Sequence, residues 1–243
     1  MAPEIPAESL IHTIETRRSI RLFEPVPVPP EILHKAFDLA LLAPNSSNLQ
    51  PWEFYRVTQA EKKKKLVECC MSQAAAATAA ELVVCVARID TWKRNLECLK
   101  GQLKAAEAQG TRIPKAAWQY YNHLAPLMYD QGPCGVWGPF KKLISFFMGL
   151  SKPMAREPFG NNDMKLWATK TTALACENFM LAIRSFGFDT CPMEGIDSRR
   201  IRKLLNLPRH ALIPMVIAVG KRRPEGVTLP RLRVPREWVV HTV

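Results

Sequence analysis

One long apolar segment constrains the fold more than any other part of the sequence. Asp163 is a favourable helix N-cap residue and Gly187 is a favourable C′ residue, so together they bound a predicted helix over residues 164–186. Residues 173–183 are apolar nearly all round that helix, which predicts that it lies buried at the centre of the molecule. Glu177 interrupts the apolar stretch, so it needs either a partner for its charge or an altered pKa.

Four short segments have the composition of β-strands. Residues 82–87 form a continuous apolar run, which is typical of a strand buried on both faces. Residues 53–57 alternate aromatic and β-branched side chains with polar ones, and residues 188–191 and 211–219 complete the set. Pro214 lacks a backbone N–H, so it predicts either an edge position or a bulge for the last strand.

Shorter helices fill the intervals between these strands. Ser9 is the predicted N-cap of a first helix that ends near Glu15, with Leu10, Ile11 and Ile14 on one face. We predict further helices from residue 30 to the loop at 43, over 60–70, 73–80 and 91–109, and over 198–205 with Asp197 as its cap.

Residues 113–158 are crowded with aromatic side chains and interrupted by glycine and proline. Aromatic side chains at helical spacing can pack a core, line a ligand site, or do both. The sequence leaves these two interpretations of the segment open.

Composition bounds the class of protein. The net charge is +12, from 34 Lys and Arg against 22 Asp and Glu, which suits a phosphorylated ligand and also admits nucleic acid or an anionic membrane. However, the basic residues are scattered apart from residues 62–65 and 222–223, and no aromatic side chains interleave with them as a nucleic-acid platform requires. We therefore expect the lysine run at 62–65 to be a solvated helix face.

Cysteine usage and the apolar runs indicate the compartment. Seven cysteines without a Cys-x-x-Cys pair, two of them (Cys85 and Cys176) in apolar runs, are typical of buried thiols in a reducing environment. The histidines show no metal-ligand spacing, so we predict no metal. The first ten residues carry Glu4 and Glu8 without a signal-peptide core, and the apolar runs are too short to span a bilayer. We expect a cytoplasmic protein, one domain over residues 1–243, with no membrane or nucleic-acid partner.

The loop at residues 43–52 has the strongest functional character. It reads Ala-Pro-Asn-Ser-Ser-Asn-Leu-Gln-Pro-Trp, with many short amide and hydroxyl side chains and no charge. Such a loop presents donors and acceptors to a flat, polar-edged ligand, and Leu49 or Trp52 can supply an apolar wall beside it. A solvated turn is the alternative interpretation.

A cluster of cations follows the first helix. Arg17, Arg18, Ser19 and Arg21 place three guanidiniums and a hydroxyl within five residues. Because arginine offers planar, bidentate and always-charged donors, this cluster is a candidate phosphate clamp. A basic surface turn is the alternative.

Four stretches, taken in order, resemble the FMN-dependent nitroreductase family. They are the Arg-Arg-Ser segment at 17–19, the loop at 43–52, the Pro-Met-Glu-Gly turn at 192–195, and the basic pair Arg231 and Arg233. The resemblance spans roughly residues 10 to 236. It implies an α+β fold, a three-layer sandwich with a mainly antiparallel central sheet flanked by helices, in an intertwined homodimer.

The resemblance also implies a cofactor, a co-substrate and a reaction. FMN binds between the four stretches, NAD(P)H gives hydride to flavin N5, and a nitroaromatic or quinone-like acceptor then takes it in a ping-pong cycle. No side chain acts as a nucleophile. The helical excursion at about 110–160 covers the active site, and the tail at 220–243 wraps the partner subunit.

The implied cofactor contacts divide by the part of the flavin they serve. The cations bind the phosphate, the amide-rich loop binds the pyrimidine edge, and the backbone of the Pro-Met-Glu-Gly turn lies near N5. Arg21 could instead stabilise the negative charge near N1 and O2 of the reduced ring. The implied set is Arg17, Arg18, Ser19, Arg21, Pro44, Ser46, Ser47, Asn48, Gln50, Pro192, Met193, Glu194, Gly195, Arg231 and Arg233.

Two departures and several alternatives stay open. Arg231 stands where many relatives have Lys, and Asn45 where Ser is more usual. Other flavin enzymes on the same fold, namely an enone reductase, a dehalogenase or an oxidase, would share these residues. A non-enzymatic basic module that binds nucleic acid is the alternative from another class, and it requires no chromophore.

Overall fold

The computed structural model of the protein describes residues 8–243, without the side chain of Cys134. Glu4, which entered our interpretation of the N-terminus, and the Cys134 thiol therefore lie outside the described part of the chain. Of the other six cysteines, only Cys98 is exposed, and all six are free thiols.

A four-stranded antiparallel sheet forms the centre of the molecule. Its strands are β1 (Trp52–Arg56), β2 (Glu81–Ala87), β3 (Asp189–Met193) and β4 (Leu212–Gly220), in the order β1-β2-β4-β3. The predicted strands are confirmed to within two residues at each end.

Pro214 lies in a bulge and not on an edge. β4 runs between β2 and β3, so the edge position that Pro214 allowed is wrong. Cys85 pairs with Met215 but Ala87 pairs with Leu212, so one more residue of β4 than of β2 fills this interval. The interruption contains Pro214, whose missing N–H would otherwise break the ladder. The alternative prediction, a bulge, is confirmed.

Helices surround the sheet at both faces and at one end. Within the described residues they are α1 (Leu10–Thr16), α2 (Pro30–Leu41), α3 (Ala60–Cys69), α4 (Ala74–Thr78), α5 (Trp92–Ala108), α6 (Lys115–Gln119), α7 (Ala125–Tyr129), α8 (Trp137–Met148), α9 (Asn161–Ser185) and α10 (Ser198–Leu204). A π-helical turn over Tyr120–Leu124 joins α6 to α7.

The alternation of side chains in β2 produces three layers. Val83 and Cys85 pack against α2 and α9, whereas Val84 and Val86 pack on the other face of the sheet against α3, α4 and α10. A strand covered on both faces needs apolar side chains at every position, which is why residues 82–87 form an unbroken apolar run. The predicted three-layer α+β architecture is confirmed.

The N-terminal end of α9 differs from the prediction, whereas its C-terminal end agrees with it. Asp163 is not the N-cap; α9 begins at Asn161, and the Asp163 carboxylate reaches back to accept hydrogen bonds from the N–H groups of Phe159 (3.0 Å) and Gly160 (2.9 Å). Burial alone would raise the pKa of Asp163, but these two hydrogen bonds bring it below its usual value. Gly187 has φ +79° and closes the helix as predicted, with Phe188 N–H bonded to Ile183 O.

Two predicted apolar faces are open in the single chain. On α9, Leu174 is 45% exposed, and Glu177 is half-exposed, with its carboxylate 3.8 Å from Arg17 Nε. On α1, the buried residue is Thr13, while Leu10 and Ile11 point outward. The central position of α9 is confirmed, but its burial on every side is wrong for one chain alone.

A buried carboxylate ties α9, β3, β4 and α1 together. Asp189 is 1% exposed and accepts two hydrogen bonds from Arg222, one of them from Nε at 2.7 Å, while Arg184 Nη1 lies 3.5 Å away. Arg184 and Arg222 also donate to Thr16, at its Oγ1 (2.9 Å) and its carbonyl oxygen (3.2 Å). The end of α1 is therefore fixed to the start of β3.

Replacing this carboxylate should destabilise the protein. Asp189→Asn removes the buried counter-charge of Arg222 and leaves Arg184 with Glu8 alone, 3.5 Å away, so we expect the free energy of unfolding to fall by about 3 kcal/mol. The measurement is urea unfolding followed by far-UV circular dichroism. Asp38→Asn is the matched control, because Asp38 is exposed, and it should change the value by less than about 0.5 kcal/mol. Equal effects of the two substitutions would contradict the role given to Asp189.

Candidate functional site

The predicted phosphate cations lie on an extended segment beside β3. Ser19 forms a parallel bridge with Thr190, and Ile20 N–H donates to Thr190 O at 3.0 Å. Arg21 N–H donates to Gly226 O at 2.9 Å, so the segment lies between the sheet edge and the C-terminal tail. A Cβ at Gly226 would come within 2.7 Å of Leu22 O, which explains why a glycine allows this close approach.

The tail brings the basic pair to the same place. Arg231 Nη2 donates to the carbonyl oxygens of Glu15 (2.8 Å) and Arg17 (2.7 Å), and Arg18 Nη2 donates to Leu229 O. Together the segment and the tail enclose a cavity of about 190 Å³. The predicted residues that line it are Arg17, Arg18, Ser19, Arg21, Arg231 and Arg233.

The electrostatics of this cavity favour an anion. Five guanidiniums surround it, and its lining, all of it in the described part of the chain, contains no carboxylate. Glu177 lies near Arg17 but at 3.8 Å, and it is half-exposed, so it compensates little of this charge. Guanidiniums held close together are stabilised by a multivalent anion such as a phosphate.

The Pro-Met-Glu-Gly turn continues from the same strand. Pro192 and Met193 are the last residues of β3, and Glu194 and Gly195 follow it at the surface. Gly195 O accepts a hydrogen bond from Gln73 Nε2 at 3.0 Å, which fixes the turn against the start of α4. The structure therefore brings the turn to the sheet edge that carries the arginine cavity.

The amide-rich loop lies elsewhere and is locally strained. Ser47, Asn48 and Gln50 have φ values of 59°, 54° and 45°, in the left-handed region that few residues other than glycine adopt. Asn45 Oδ1 accepts from Gln50 N–H at 2.9 Å and so holds the turn closed. Pro44 and Asn48 are exposed, with their polar groups available at the surface. Strain of this kind is typical of positions held for function.

Of the two residues predicted as an apolar wall, Leu49 is fully buried in the core and does not form one. Trp52 is 7% exposed and lines a cavity together with Gln50. Leu49 O accepts from Asn95 Nδ2 at 2.8 Å. These residues attach the loop to the core, while its amide side chains face outward.

Two tyrosines that the sequence did not single out hold the loop from the other side. Ser47 Oγ bonds to Tyr129 Oη at 2.8 Å and also to Tyr120 Oη, and Ser46 Oγ lies 3.1 Å from Tyr129 Oη. Burial raises the pKa of Tyr129, against the opposing effect of the serine hydrogen bonds, so its hydroxyl stays protonated at neutral pH. The helical excursion is thus joined directly to the candidate site.

The two groups of site residues occupy opposite corners of the sheet in one chain. Ser19 pairs with Thr190, and Thr190 with Val219 at one end of β4, whereas the loop enters β1 at Trp52, level with Leu212 at the other end. Val219 and Leu212 are about 23 Å apart along the strand, at about 3.3 Å per residue. The loop also adjoins the opposite edge strand, β1 instead of β3. One chain does not bring its arginine cavity and its loop together.

Removing the Tyr129 hydroxyl should destabilise the loop. Tyr129→Phe keeps the buried ring but leaves both serine hydroxyls without this partner, so we expect the free energy of unfolding to fall by about 1 kcal/mol. Tyr121→Phe is the matched control, since within residues 8–243 as described its hydroxyl makes no hydrogen bond. The measurement is thermal unfolding of both variants. If Tyr121→Phe destabilised the protein as much as Tyr129→Phe, the role given to the Tyr129 hydroxyl would be contradicted.

Comparison with known proteins identifies the family of the chain. A model of the nitroreductase family matches residues 14–221. The chain is 27% identical to an NADH dehydrogenase of Thermus thermophilus over 92% of this chain and 91% of that protein, and 25% identical to a 4-nitrobenzoate reductase of Pseudomonas putida over 92% and 89%.

A solved structure shares the fold. A candidate nitroreductase of Exiguobacterium sibiricum, solved in complex with FMN, superimposes with a TM-score of 0.70 at 20% identity, over 98% of each chain. The family match covers most of the chain and includes the cations at 17–21, the loop and the turn. The chain belongs to the nitroreductase family.

Proposed function

We propose that the protein is an FMN-dependent oxidoreductase that uses NAD(P)H to reduce nitroaromatic or quinone-like acceptors. The observation that carries this proposal is the acid-free cavity with five guanidiniums, on the same edge strand, β3, that leads into the Pro-Met-Glu-Gly turn. Its donor set fits the phosphate of FMN. The family relationship and the 4-nitrobenzoate reductase among the relatives support the reaction class.

The phosphate would be held by side chains whose N–H and O–H groups are not all used within the chain. Arg231 uses Nη2 for the carbonyl oxygens of Glu15 and Arg17, which leaves Nε and Nη1 for an anion. Arg17, Arg18, Ser19, Arg21 and Arg233 complete the set. Because Arg21 lines the same cavity, we assign it to the phosphate and not to the ring.

The ring would be oriented by the loop and the turn. Asn48 and Gln50 offer amide groups to its pyrimidine edge, with Pro44, Ser46 and Ser47 beside them. The backbone from Pro192 to Gly195 would lie along its central ring. A bound FMN would supply the hydride chemistry between NAD(P)H and the acceptor, so these side chains need only bind, orient and exclude water.

A homodimer is the arrangement that would complete this site. The arginine cavity and the loop of one chain lie at opposite corners of its sheet, too far apart to hold one flavin. α1 leads into the first group and α2 into the second, and the groove between α1, α2 and α9 is apolar and open. The groove encloses about 390 Å³, and its apolar lining is Leu10, Leu39, Leu42, Leu181 and Ala182.

A second copy packed over this groove would exchange the two groups between chains. In a twofold dimer the same surface of each chain forms the interface. The loop of each chain would therefore approach the arginine cavity of the other. Residues 234–243 of the tail, exposed in the single chain, would then lie on the partner.

The function and its site are tested in one anaerobic titration. We expect the purified protein to contain FMN, NADH or NADPH to bleach its visible absorption, and a nitroaromatic acceptor to restore it. The variant Arg231→Ala/Arg233→Ala should weaken FMN binding by about 100-fold or more, because it removes two charge-assisted hydrogen bonds that contribute about 1.5–3 kcal/mol each.

Arg236→Ala is the matched control, since this tail arginine does not line the cavity and should keep its FMN. Full flavin content in the double variant would refute the phosphate assignment. Bound flavin that neither nicotinamide reduces would refute the proposed reaction.

A further inference from the structure

Helix α8 presents its large apolar side chains to the outside. Its buried residues are Gly138 and Ser145, one small and one polar. Trp137, Phe140 and Phe147 are 50–60% exposed. The outward apolar residues, which we call the α8 face, are Val136, Trp137, Phe140, Leu143, Ile144, Phe146, Phe147 and Leu150.

Specific contacts on the inner side fix this orientation. A Cβ at Gly138 would lie 2.8 Å from Phe159 O, so the backbone of α8 approaches the chain closely there. Ser145 Oγ donates to Ala155 O and Arg156 Nη1 donates to Ser145 O, both at 3.1 Å. Lys141 Nζ donates to Met128 O at 3.0 Å, at the end of α7. Rotating α8 to bury its aromatic side chains would break all of these contacts.

The α8 face continues onto α7. An apolar cavity of about 550 Å³ lies between the two helices, lined by Pro126 and Leu127 on one side and by Trp137, Phe140 and Ile144 on the other. The inner side of α7 carries Tyr129, which holds the candidate flavin loop. The apolar surface therefore forms the outer wall of the helices that join the site.

The charges around this face are mostly positive. Residues 131–156 include Lys141, Lys142, Lys152 and Arg156 and no Asp or Glu, and the whole chain carries +12. Asp130, which lines the cavity between α7 and α8, and Glu157 are the adjoining carboxylates. Aromatic and aliphatic residues on one side of a helix, flanked by cations, are typical of helices that lie in the surface of an anionic bilayer.

We infer that the α8 face docks onto the surface of an anionic lipid bilayer. This is contact with one leaflet, since none of the described helices is long and apolar enough to cross a membrane. It departs from the expectation of no membrane partner, which rested on the length of the apolar runs. A second copy fits less well, because a contact between two α8 faces would bring together two surfaces that each carry Lys142 and Lys152.

The groove of α1, α2 and α9 suits the second copy better. Glu8 lines it and lies 3.5 Å from Arg184 Nη2, so both signs of charge meet at this surface. The two apolar surfaces thus have different occupants in our account.

The test is co-sedimentation of the full chain with lipid vesicles. We expect binding to vesicles that contain phosphatidylglycerol, weaker binding to pure phosphatidylcholine, and a decrease with salt. Phe146→Ser/Phe147→Ser should reduce partitioning by about tenfold or more, because two rings are removed from the apolar face. Lys142→Glu, which leaves the apolar face intact, should also reduce it.

Val26→Ser/Met71→Ser is the matched control, since both side chains are exposed in connecting segments outside α8, and it should bind as the natural chain does. Failure to bind anionic vesicles, or unchanged binding of the Phe146/Phe147 variant, would overturn the inference. Light scattering of that variant should show an unchanged oligomeric state; dissociation would mean that α8 contacts a second copy. Because vesicle binding needs neither flavin nor acceptor, its outcome is independent of the proposed function.

Discussion

The candidate site depends on the buried carboxylate of Asp189. Its two arginine partners come from α9 and from the segment just after β4, and both also hold Thr16 at the end of α1. Arg17 to Arg21 begin directly after this fixed point and run along β3. Like-charged side chains repel one another, so a cluster of guanidiniums needs a backbone that is held independently of them. The Asp189 network supplies that fixed backbone from within the core.

Each group of site residues is ordered by its own chain, but the two groups are not brought together there. The arginine cavity is closed by residues 227–233 of the tail, and the loop is held by Tyr120, Tyr129 and Asn95. Strained left-handed residues in the loop are kept in place by these contacts and by the buried Leu49. Pre-organisation within each chain means that association of two chains would only have to align two rigid halves.

Local patterns predicted the parts of the fold that local physics decides. The apolar run of β2, the cap of α10 by Asp197 and the closure of α9 at Gly187 follow from neighbouring residues, and all are confirmed. Asp163 was misassigned because a carboxylate near a helix start can serve as N-cap or reach back from the third position. The bond between Tyr129 and Ser47 joins residues 82 positions apart, and no local pattern signals it. The α8 face was missed because the sequence alone does not say which side of an amphipathic helix meets the core.

The mass of the intact complex under native conditions tests the central claim most directly, namely that two chains together complete the flavin site. Native mass spectrometry counts chains and bound FMN in the same particle. Our account predicts two chains with two FMN molecules, and loss of FMN whenever the complex is dissociated to single chains. A single chain that retains FMN would contradict the composite site, and a dimer that takes up no FMN even when it is added would contradict flavin binding itself.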